Sequence, residues 1–294
     1  MVRPVRFGFN EQTAESNAFQ QQPGRLRPEE IQENAQREFD TFVDQLREAG
    51  IEVTVVEDTP EPHTPDSIFP NNWVSFHADG KVVLYPMQAP NRRSERRQDI
   101  VDQFLARYTG GRLLDFSGYE SQGLFLEGTG SMILDRVNGV VYACLSPRTS
   151  AQLLQEYGAR MGYRVVAFHA SDARNQAIYH TNVMMALGAS VAVLCVDAVR
   201  DAAERQALMA SLAASGHEVV AITFDQMNAF AGNMLELLDG DGQRRMVMSA
   251  RAYHSLTPAQ IEAISRHARP IVVPLDVVET YGGGSVRCML AEVF

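Results

Sequence analysis

Cysteine is scarce in this chain. Cys144, Cys195 and Cys288 are the three cysteines among 294 residues, and they show no Cys-x-x-Cys spacing. This pattern argues against a disulfide framework and a zinc ribbon, and it fits a protein of the reducing cytoplasm. Cys144 and Cys195 lie within the apolar strand patterns "VVYACLS" and "VAVLCVD". We therefore predict that both are core residues.

Long apolar runs and basic clusters are also lacking. No apolar stretch approaches roughly 18 residues and the N-terminus has no secretory h-region, so we expect a soluble, unexported protein without a membrane partner. The net charge is −10, and the densest basic run, "NRRSERR", contains a glutamate, which disfavours nucleic-acid binding. No linker-like segment divides the chain, so we predict a single domain over residues 1–294. Homo-oligomer formation is left open.

One helix–strand–hairpin pattern recurs along the chain. The first amphipathic helix begins at Pro28, and others begin near Glu95, Pro147, Val199 and Thr257. Each precedes a short apolar strand and then a hairpin, whose turns read "ADGK", "RVNG", "LGAS" and "DGDG". A period of roughly 50 residues predicts a closed, propeller-like α/β repeat protein, with the opening "VRPVRFGFN" pairing with the last unit. The hairpins disfavour a doubly wound parallel sheet.

Polar residues occupy equivalent positions at the start of the five hairpins. They are Asn72, Glu127, His180, Asn233 and Cys288. A closed ring would bring these positions together on its axis. A thiol beside an imidazole and an acid is the set of groups that cysteine-dependent catalysis uses. The sequence therefore predicts a catalytic site built from distant segments.

Three glycines, Gly282–Gly284, come just before Cys288. Because glycine lacks a Cβ, we expect this backbone to approach the centre closely. The histidines without such context are predicted at the surface or in loops: His77, His169, His217, His254 and His267. His63 lies in the proline-rich loop "TPEPHTP".

Four motifs, "PDSIFPNNW", "FLEGTGSM", "YHTN" and "GGGSVRC", follow one another along the chain. In this order they resemble the pentein, or guanidine-modifying, superfamily of arginine deiminases, dimethylarginine hydrolases and amidinotransferases. The resemblance covers essentially the whole chain. It implies a five-bladed α/β propeller of ββαβ units, a cysteine that attacks the planar carbon of a guanidino-type group, and no metal or other cofactor.

The resemblance also implies roles for individual residues. Cys288 matches the nucleophile, His180 the general acid/base, and Glu127 the acid that bonds the substrate nitrogens. Asp66 matches an aspartate near the α-amino end of the substrate. Two arginines match the clamp on the α-carboxylate, for which a guanidinium is well shaped: Arg92, or Arg93 if the alignment shifts by one, and Arg148. Residues 7–20 match a lid.

The sequence departs from the family at three asparagines. Asn71 and Asn72 stand where related enzymes have an acid that holds guanidinium, and Asn182 stands where arginine deiminases have an aspartate. A guanidinium offers only donors and a positive charge, whereas a ureido group is neutral and carries a carbonyl acceptor. The substitutions therefore favour a ureido substrate. Which of Asn71 and Asn72 faces the site is left open, and the alignment favours Asn72.

These observations favour hydrolysis of L-citrulline to ornithine, CO2 and ammonia through a covalent S-carbamoyl intermediate. An arginine dihydrolase or deiminase, or a methylarginine hydrolase, is the alternative of the same class. A non-catalytic binder of arginine-like metabolites is the alternative of another class. In each case we expect the partner to be a small molecule.

Overall fold

The computed structural model describes residues 1–14, 16–22, 24, 26–107 and 110–294. Helices and strands alternate within them, and the fold is mixed α/β, as predicted. The strands are β1 (Val2–Arg3), β2 (Val56–Glu57), β3 (Val74–Phe76), β4 (Lys81–Leu84), β5 (Arg112–Asp115), β6 (Ile133–Asp135), β7 (Val140–Leu145), β8 (Arg164–His169), β9 (Met185–Leu187), β10 (Val191–Leu194), β11 (Glu218–Ala221), β12 (Leu235–Leu238), β13 (Arg244–Ser249) and β14 (Arg269–Val273). The helices are α1 (Glu11–Ala14), α2 (Pro28–Glu48), α3 (Pro90–Arg93), α4 (Gln98–Leu105), α5 (Gly128–Ser131), α6 (Ala151–Met161), α7 (Thr181–Met184), α8 (Ala202–Ala214), α9 (Phe224–Asn228), α10 (Ala250–Ser255) and α11 (Pro258–Ser265).

Four three-stranded sheets repeat one connection. In each, two strands form an antiparallel hairpin, a helical segment crosses over, and a third strand pairs in parallel with the second. The sheets have the orders β3-β4-β5, β6-β7-β8, β9-β10-β11 and β12-β13-β14. The glycine-bearing hairpin turns predicted from sequence are therefore confirmed. At two of these turns the backbone has positive φ, +80° at Gly80 and +63° at Gly139, a conformation that glycine adopts without a steric cost.

The fifth sheet differs from the other four. It consists of β1 and β2 in parallel, joined by the long crossover helix α2. The prediction that the opening segment pairs with the last unit is wrong, because Val2 and Arg3 pair with Val56 and Glu57 instead. Residues 290–294 form no strand. The reason is the crossover: α2 returns the chain in the direction that a parallel partner for β1 requires.

Helix α2 shows how the sequence builds the core. Pro28 occupies its first turn, where a missing N–H costs nothing, and Gly50 follows its end with φ of +80°. The apolar stripe predicted from its spacing is buried: Ile31, Ala35, Phe39, Phe42 and Leu46. Burying each large side chain contributes about 1.5–3 kcal/mol. This stripe anchors the helix against the elements that lead to Cys288.

The two cysteines predicted to be structural are fully buried, as expected. The histidines predicted at the surface or in loops are found there, but two of those in loops, His77 and His217, are also buried. His77 is buried between Ser75 and Arg136, with its ring nitrogens 2.9 and 3.0 Å from them, and His217 is buried against the carbonyl of Gly188. Local sequence patterns do not reveal such tertiary partners.

None of the helices in the described part of the chain combines the length and apolarity needed to cross a membrane.

Candidate active site

The five polar residues predicted to converge stand at matching places in the fold. Four of them come shortly before the first strand of a hairpin. The fifth lies in the helical turn Val286–Met289, near the end of the last repeat. They are Asn72, Glu127, His180, Asn233 and Cys288. All five are buried. Hydrogen bonds join Asn233 to Cys288 and His180 to Glu127, and Asn72 lies beside His180.

Two side-chain amides surround the sulfur of Cys288. Asn182 Nδ2 and Asn233 Nδ2 each lie 3.3 Å from Cys288 Sγ and donate to it. Asn182 follows His180 by two residues, so the segment that carries the imidazole also contacts the thiol. The oxygen of the Asn182 amide is buried and has no hydrogen-bond partner among the described residues. An acceptor is therefore left beside the sulfur.

His180 and Glu127 form a buried pair, with Nε2 of the histidine 2.8 Å from Oε2 of the carboxylate. Burial lowers the pKa of His180 to about 4, although Glu127 acts in the opposite direction. Burial alone would raise the pKa of Glu127, but Arg148, His180 and Arg92 together lower it to about 2. At neutral pH the pair is thus an anionic carboxylate and a neutral imidazole.

Asn72 has a fixed amide orientation. Arg92 donates from its NH1 nitrogen to Asn72 Oδ1 at 2.7 Å. A guanidinium has no acceptor, so this contact assigns the oxygen of the amide to the arginine side. The nitrogen Nδ2 is buried and unpartnered among the described residues. The amide therefore presents a free donor on the side opposite Arg92.

Gly130 locates that free donor. A Cβ added at Gly130 would collide with Asn72 Nδ2 and would lie 2.8 Å from His180 Nδ1. The two side chains therefore share the space that the glycine leaves open. Asn71 points elsewhere and donates to Thr129 Oγ1 at 3.2 Å. Of the two adjacent asparagines, Asn72 is the one beside the imidazole.

The predicted carboxylate clamp Arg92 is buried and already engaged. Its Nε and NH2 nitrogens lie 2.9 Å from the two carboxylate oxygens of Glu95, and NH2 also donates to the carbonyl of Phe69. Asp66 Oδ2 lies 3.7 Å from Arg92 Nε and accepts from Asn10 Nδ2 at 2.7 Å. The other oxygen of Asp66 is buried without a partner among the described residues. Asp66 thus keeps an acceptor available, whereas Arg92 orients Asn72.

Arg148 connects the site to the N-terminal segment. Its NH1 nitrogen lies 3.5 Å from Glu127 Oε2, and its NH2 nitrogen donates to the carbonyl of Thr13 at 3.2 Å. Its Nε donates to Ser16 Oγ at 3.1 Å. Arg93, the alternative to Arg92, instead donates to the carbonyls of Met87 and Gln88. Only Arg148 among the three arginines therefore bridges Glu127 to the segment predicted as a lid.

Residues 7–20 cover this region, with Glu15 outside the described residues. Asn17 Nδ2 donates to the carbonyls of Gly282 and Gly283 at 3.3 and 3.4 Å. Gly283 has φ of +63°, and a Cβ there would lie 2.6 Å from Asn17 Nδ2. Gly282 and Gly284 face the ring of Phe69 with equally little room. The glycines before Cys288 therefore permit contact with Phe69 and with the predicted lid.

Sequence reasoning missed two residues of this network. Asn10 reaches Asp66 from the N-terminal segment, and Glu95 pairs with Arg92. The Arg92–Glu95 pair carries a local signal, because opposite charges three residues apart face each other on a helical turn. Asn10 carries none, since its partner lies 56 residues away.

Comparison with known proteins gives a consistent result. The N-terminal domain of ArgZ, a cyanobacterial arginine dihydrolase of the ornithine-ammonia cycle solved with substrate bound, has a TM-score of 0.75 and 17% identity over 100% of this chain and 97% of that one. AgrE with L-arginine has a TM-score of 0.75 and 18% identity over 98% of this chain and 39% of AgrE. A dimethylarginine dimethylaminohydrolase variant with an S-methyl-L-thiocitrulline adduct has a TM-score of 0.64 and 16% identity over 98% and 96%.

At these identities the likeness shows the fold. No curated protein matches the chain. A family model described as N,N dimethylarginine dimethylhydrolase, eukaryotic, matches residues 3–294. The resemblance to guanidine-modifying enzymes is thereby confirmed, and the chain belongs to the N,N dimethylarginine dimethylhydrolase family of hydrolases, which act on non-peptide C–N bonds.

Proposed function

We propose that this hydrolase, whose relatives act on arginine-like guanidino compounds, uses the ureido amino acid L-citrulline and converts it to ornithine, CO2 and ammonia. One observation carries the proposal: Arg92 holds the oxygen of the Asn72 amide and leaves its nitrogen as a free, buried donor. A substrate head group that meets this nitrogen would therefore have to offer an acceptor.

A ureido carbonyl supplies that acceptor, whereas a guanidinium presents N–H groups alone. A guanidinium facing Asn72 Nδ2 would leave a buried donor unsatisfied, which costs about 1–3 kcal/mol. At about 1.4 kcal/mol per decade, this corresponds to roughly 5- to 100-fold in preference. The unpartnered oxygen of Asn182 suits an N–H of either head group, so it does not discriminate between them.

The charges around the site support the same choice. Each buried carboxylate of the network already faces an arginine: Glu127 faces Arg148, and Asp66 and Glu95 face Arg92. A cationic head group gains most from carboxylates that lack such partners. A neutral ureido group needs no additional negative charge.

The reaction follows from the groups present. The thiol of Cys288 loses its proton to His180, which is neutral at physiological pH because its pKa is about 4. The sulfur attacks the ureido carbon, the bond from that carbon to the δ-nitrogen breaks, and His180 passes its proton to the departing amine of ornithine. Glu127 holds the imidazole in place throughout.

The product of this step is an S-carbamoyl group on Cys288. His180 then takes a proton from a water molecule, the hydroxyl adds to the carbamoyl carbon, and the C–S bond breaks to restore the thiol. The carbamic acid that is released decomposes to CO2 and ammonia. Water is the only co-reactant, so the proposed reaction includes no cofactor or metal.

The amino acid end of the substrate is assigned to the remaining polar groups. The free oxygen of Asp66 would accept from the α-ammonium, and Arg148 would contact the α-carboxylate. We further propose that the five sheets form the five blades of an α/β propeller and that residues 1–294 are one catalytic domain. The matching positions of the five polar residues support this arrangement.

The test is incubation of the purified protein with L-citrulline, L-arginine and N,N-dimethylarginine, followed by assays for ornithine, citrulline and ammonia. Ornithine from citrulline with equimolar ammonia is expected. Ornithine from arginine but none from citrulline would reject the proposal in favour of an arginine dihydrolase, the activity named for ArgZ. Citrulline from arginine or dimethylarginine would indicate a deiminase or a methylarginine hydrolase.

A non-catalytic binder is the alternative of another class. A Cys288→Ser variant separates the two, because it removes the nucleophile and leaves the amide contacts in place. Complete loss of turnover with an unchanged melting temperature is expected. No turnover by the wild-type protein on any of the three compounds, together with measurable binding, would favour the binder.

A further inference from the structure

We infer that Asn233 is a further catalytic residue, whose amide N–H stabilises the anionic sulfur of Cys288. The inference rests on the proposed role of Cys288 as nucleophile. Asn233 Nδ2 lies 3.3 Å from Cys288 Sγ, the reacting atom itself. Its contacts, its orientation and the state of the neighbouring charged groups support the assignment.

The orientation of the Asn233 amide is fixed on both sides. Its oxygen accepts from the backbone N–H of Arg287 at 3.0 Å, so its nitrogen must face the other way. One hydrogen of that nitrogen points to the carbonyl of Asn182 at 2.9 Å, and the other is available to the sulfur. Asn182 lacks such an anchor, because its oxygen has no partner among the described residues. Asn233 is therefore the pre-organised donor of the two.

The backbone conformation of residues 230–232 places the Asn233 amide beside the sulfur of Cys288. Phe230 has φ of +63°, an uncommon conformation for a residue with a large side chain. A Cβ at Gly232 would collide with the carbonyl of Val183 and lie 2.7 Å from the carbonyl carbon of Met184. This close approach presses the loop of one repeat against the segment that carries Asn182.

The charged and titratable groups around the sulfur are neutral or already paired, so neutral donors such as Asn233 must stabilise the anionic sulfur. Burial lowers the pKa of His180 to about 4, so at neutral pH its imidazole is uncharged before it takes the proton of the thiol. Burial also raises the pKa of Tyr179 far above its usual value. Arg287, next to Cys288 in the sequence, is already engaged, because its guanidinium donates to Glu292 at 3.0 Å and to the carbonyl of Leu290 at 2.9 Å. Glu127 is bound by His180 and Arg148.

A hydrogen bond to an ionised group contributes about 1.5–3 kcal/mol. Since 1.36 kcal/mol corresponds to one pH unit, loss of the Asn233 donor should shift ionisation of the sulfur upward by about 1–2 units. The substitution Asn233→Asp is nearly isosteric and keeps an oxygen for the Arg287 N–H. It replaces the donor by a negative charge, so the shift should lie at the upper end of that range.

The experiment measures alkylation of Cys288 by iodoacetamide in the substrate-free protein across pH, with peptide mapping to separate the three cysteines. Asn228→Asp is the matched control, because it adds the same charge to an exposed position in the same repeat. Cys144 and Cys195, both fully buried, report folding within each sample. We expect the midpoint for Cys288 to move upward by about 1–2 pH units in Asn233→Asp and to stay at the wild-type value in Asn228→Asp.

Equal midpoints in Asn233→Asp and Asn228→Asp would overturn the inference, whatever happens to turnover. If Asn233→Asp does not fold, Asn233→Ser is measured in the same way, because it withdraws the donor without adding charge. Alkylation needs no substrate. A shifted midpoint in a protein that does not hydrolyse citrulline would thus reject the proposed function and keep the Asn233 assignment. Normal citrulline hydrolysis with an unshifted midpoint would keep the proposed function and reject the Asn233 assignment.

Discussion

Arg92 donates to the side-chain oxygen of Asn72 at 2.7 Å and so decides which end of that amide faces the imidazole of His180. The arginine is itself held by both carboxylate oxygens of Glu95. In the proposed reaction, a buried ion pair would thus act on substrate choice through the orientation of a neutral side chain.

The substitution Asn72→Asp tests this relationship. It removes the donor and places a carboxylate against the ureido oxygen, so kcat/KM for citrulline should fall by roughly 10- to 100-fold, the cost of an unpaired buried polar group. Steady-state kinetics with citrulline and arginine measure the change. Asn34→Asp, at a partly exposed position of α2, is the matched control and should keep wild-type kinetics. An unchanged preference in Asn72→Asp would contradict the assigned role.

Gly130→Ala tests the close approach of Asn72 and His180. The new methyl group would collide with Asn72 Nδ2 and displace the imidazole, and such a misplacement can cost about 100-fold in rate. Gly118→Ala is the matched control, since a Cβ there meets nothing within 4 Å. We expect kcat to fall in the first variant only, measured well below the melting temperature of each variant, because the collision also destabilises the fold. Equal activity of the two variants would show that the space beside Gly130 is not part of the site.

Phe19→Ala tests whether the N-terminal segment closes the site. The ring of Phe19 packs at 5.3 Å from that of Phe230 and at 6.3 Å from that of Tyr179. Such pairs contribute about 0.5–1.5 kcal/mol each, so their loss should raise KM by roughly 5- to 100-fold and speed hydrogen exchange in residues 7–22. Val137→Ala, at a site 87% exposed, is the control. Unchanged exchange in Phe19→Ala would argue against a closing role.

Glu38 should give the protein a distinctive pH dependence of stability. Its carboxylate accepts from the backbone N–H groups of Val277 and Val278 at 2.8 and 2.9 Å, and burial raises its pKa to about 7. The folded state then binds this proton more tightly than the unfolded state, so the stabilisation present at low pH is lost between about pH 4.5 and 7. The substitution Glu38→Gln removes the titrating carboxyl group and with it this contribution to the pH dependence of stability.

The measurement is urea unfolding of both proteins from pH 5 to 8. The stability of the wild-type protein relative to Glu38→Gln should decline as the pH rises. Parallel stability curves would show that Glu38 does not titrate in this window.

Much of the fold is readable from local sequence. The stripe of Phe39, Phe42 and Leu46 predicts α2, and the glycine-bearing turns predict the four hairpins, because both signals depend on neighbours within a few residues. The pairing of β1 with β2 was not predicted. Those strands have two residues each, too few to show a period.

The sequence predicts candidate site residues, but it does not predict their interactions. Repeat spacing indicated that Asn72, His180 and Cys288 lie at equivalent points. It could not show that Arg92 is held by Glu95 or that Asn233 contacts the sulfur. Amide orientation depends on hydrogen-bond partners far away in the chain, such as Arg287 N–H, which lies 54 residues from Asn233.

The contacts of Asn17 with the carbonyls of Gly282 and Gly283 join positions 265 and 266 residues apart. Contacts of such sequence separation form late, since a long loop must close first. During translation, residues 7–20 are made long before Gly282 and Gly283, so the surroundings of Cys288 cannot form until both segments are available. A nascent polypeptide in which residues 282–288 have not yet been made therefore lacks both the glycine carbonyls that Asn17 contacts and the candidate nucleophile.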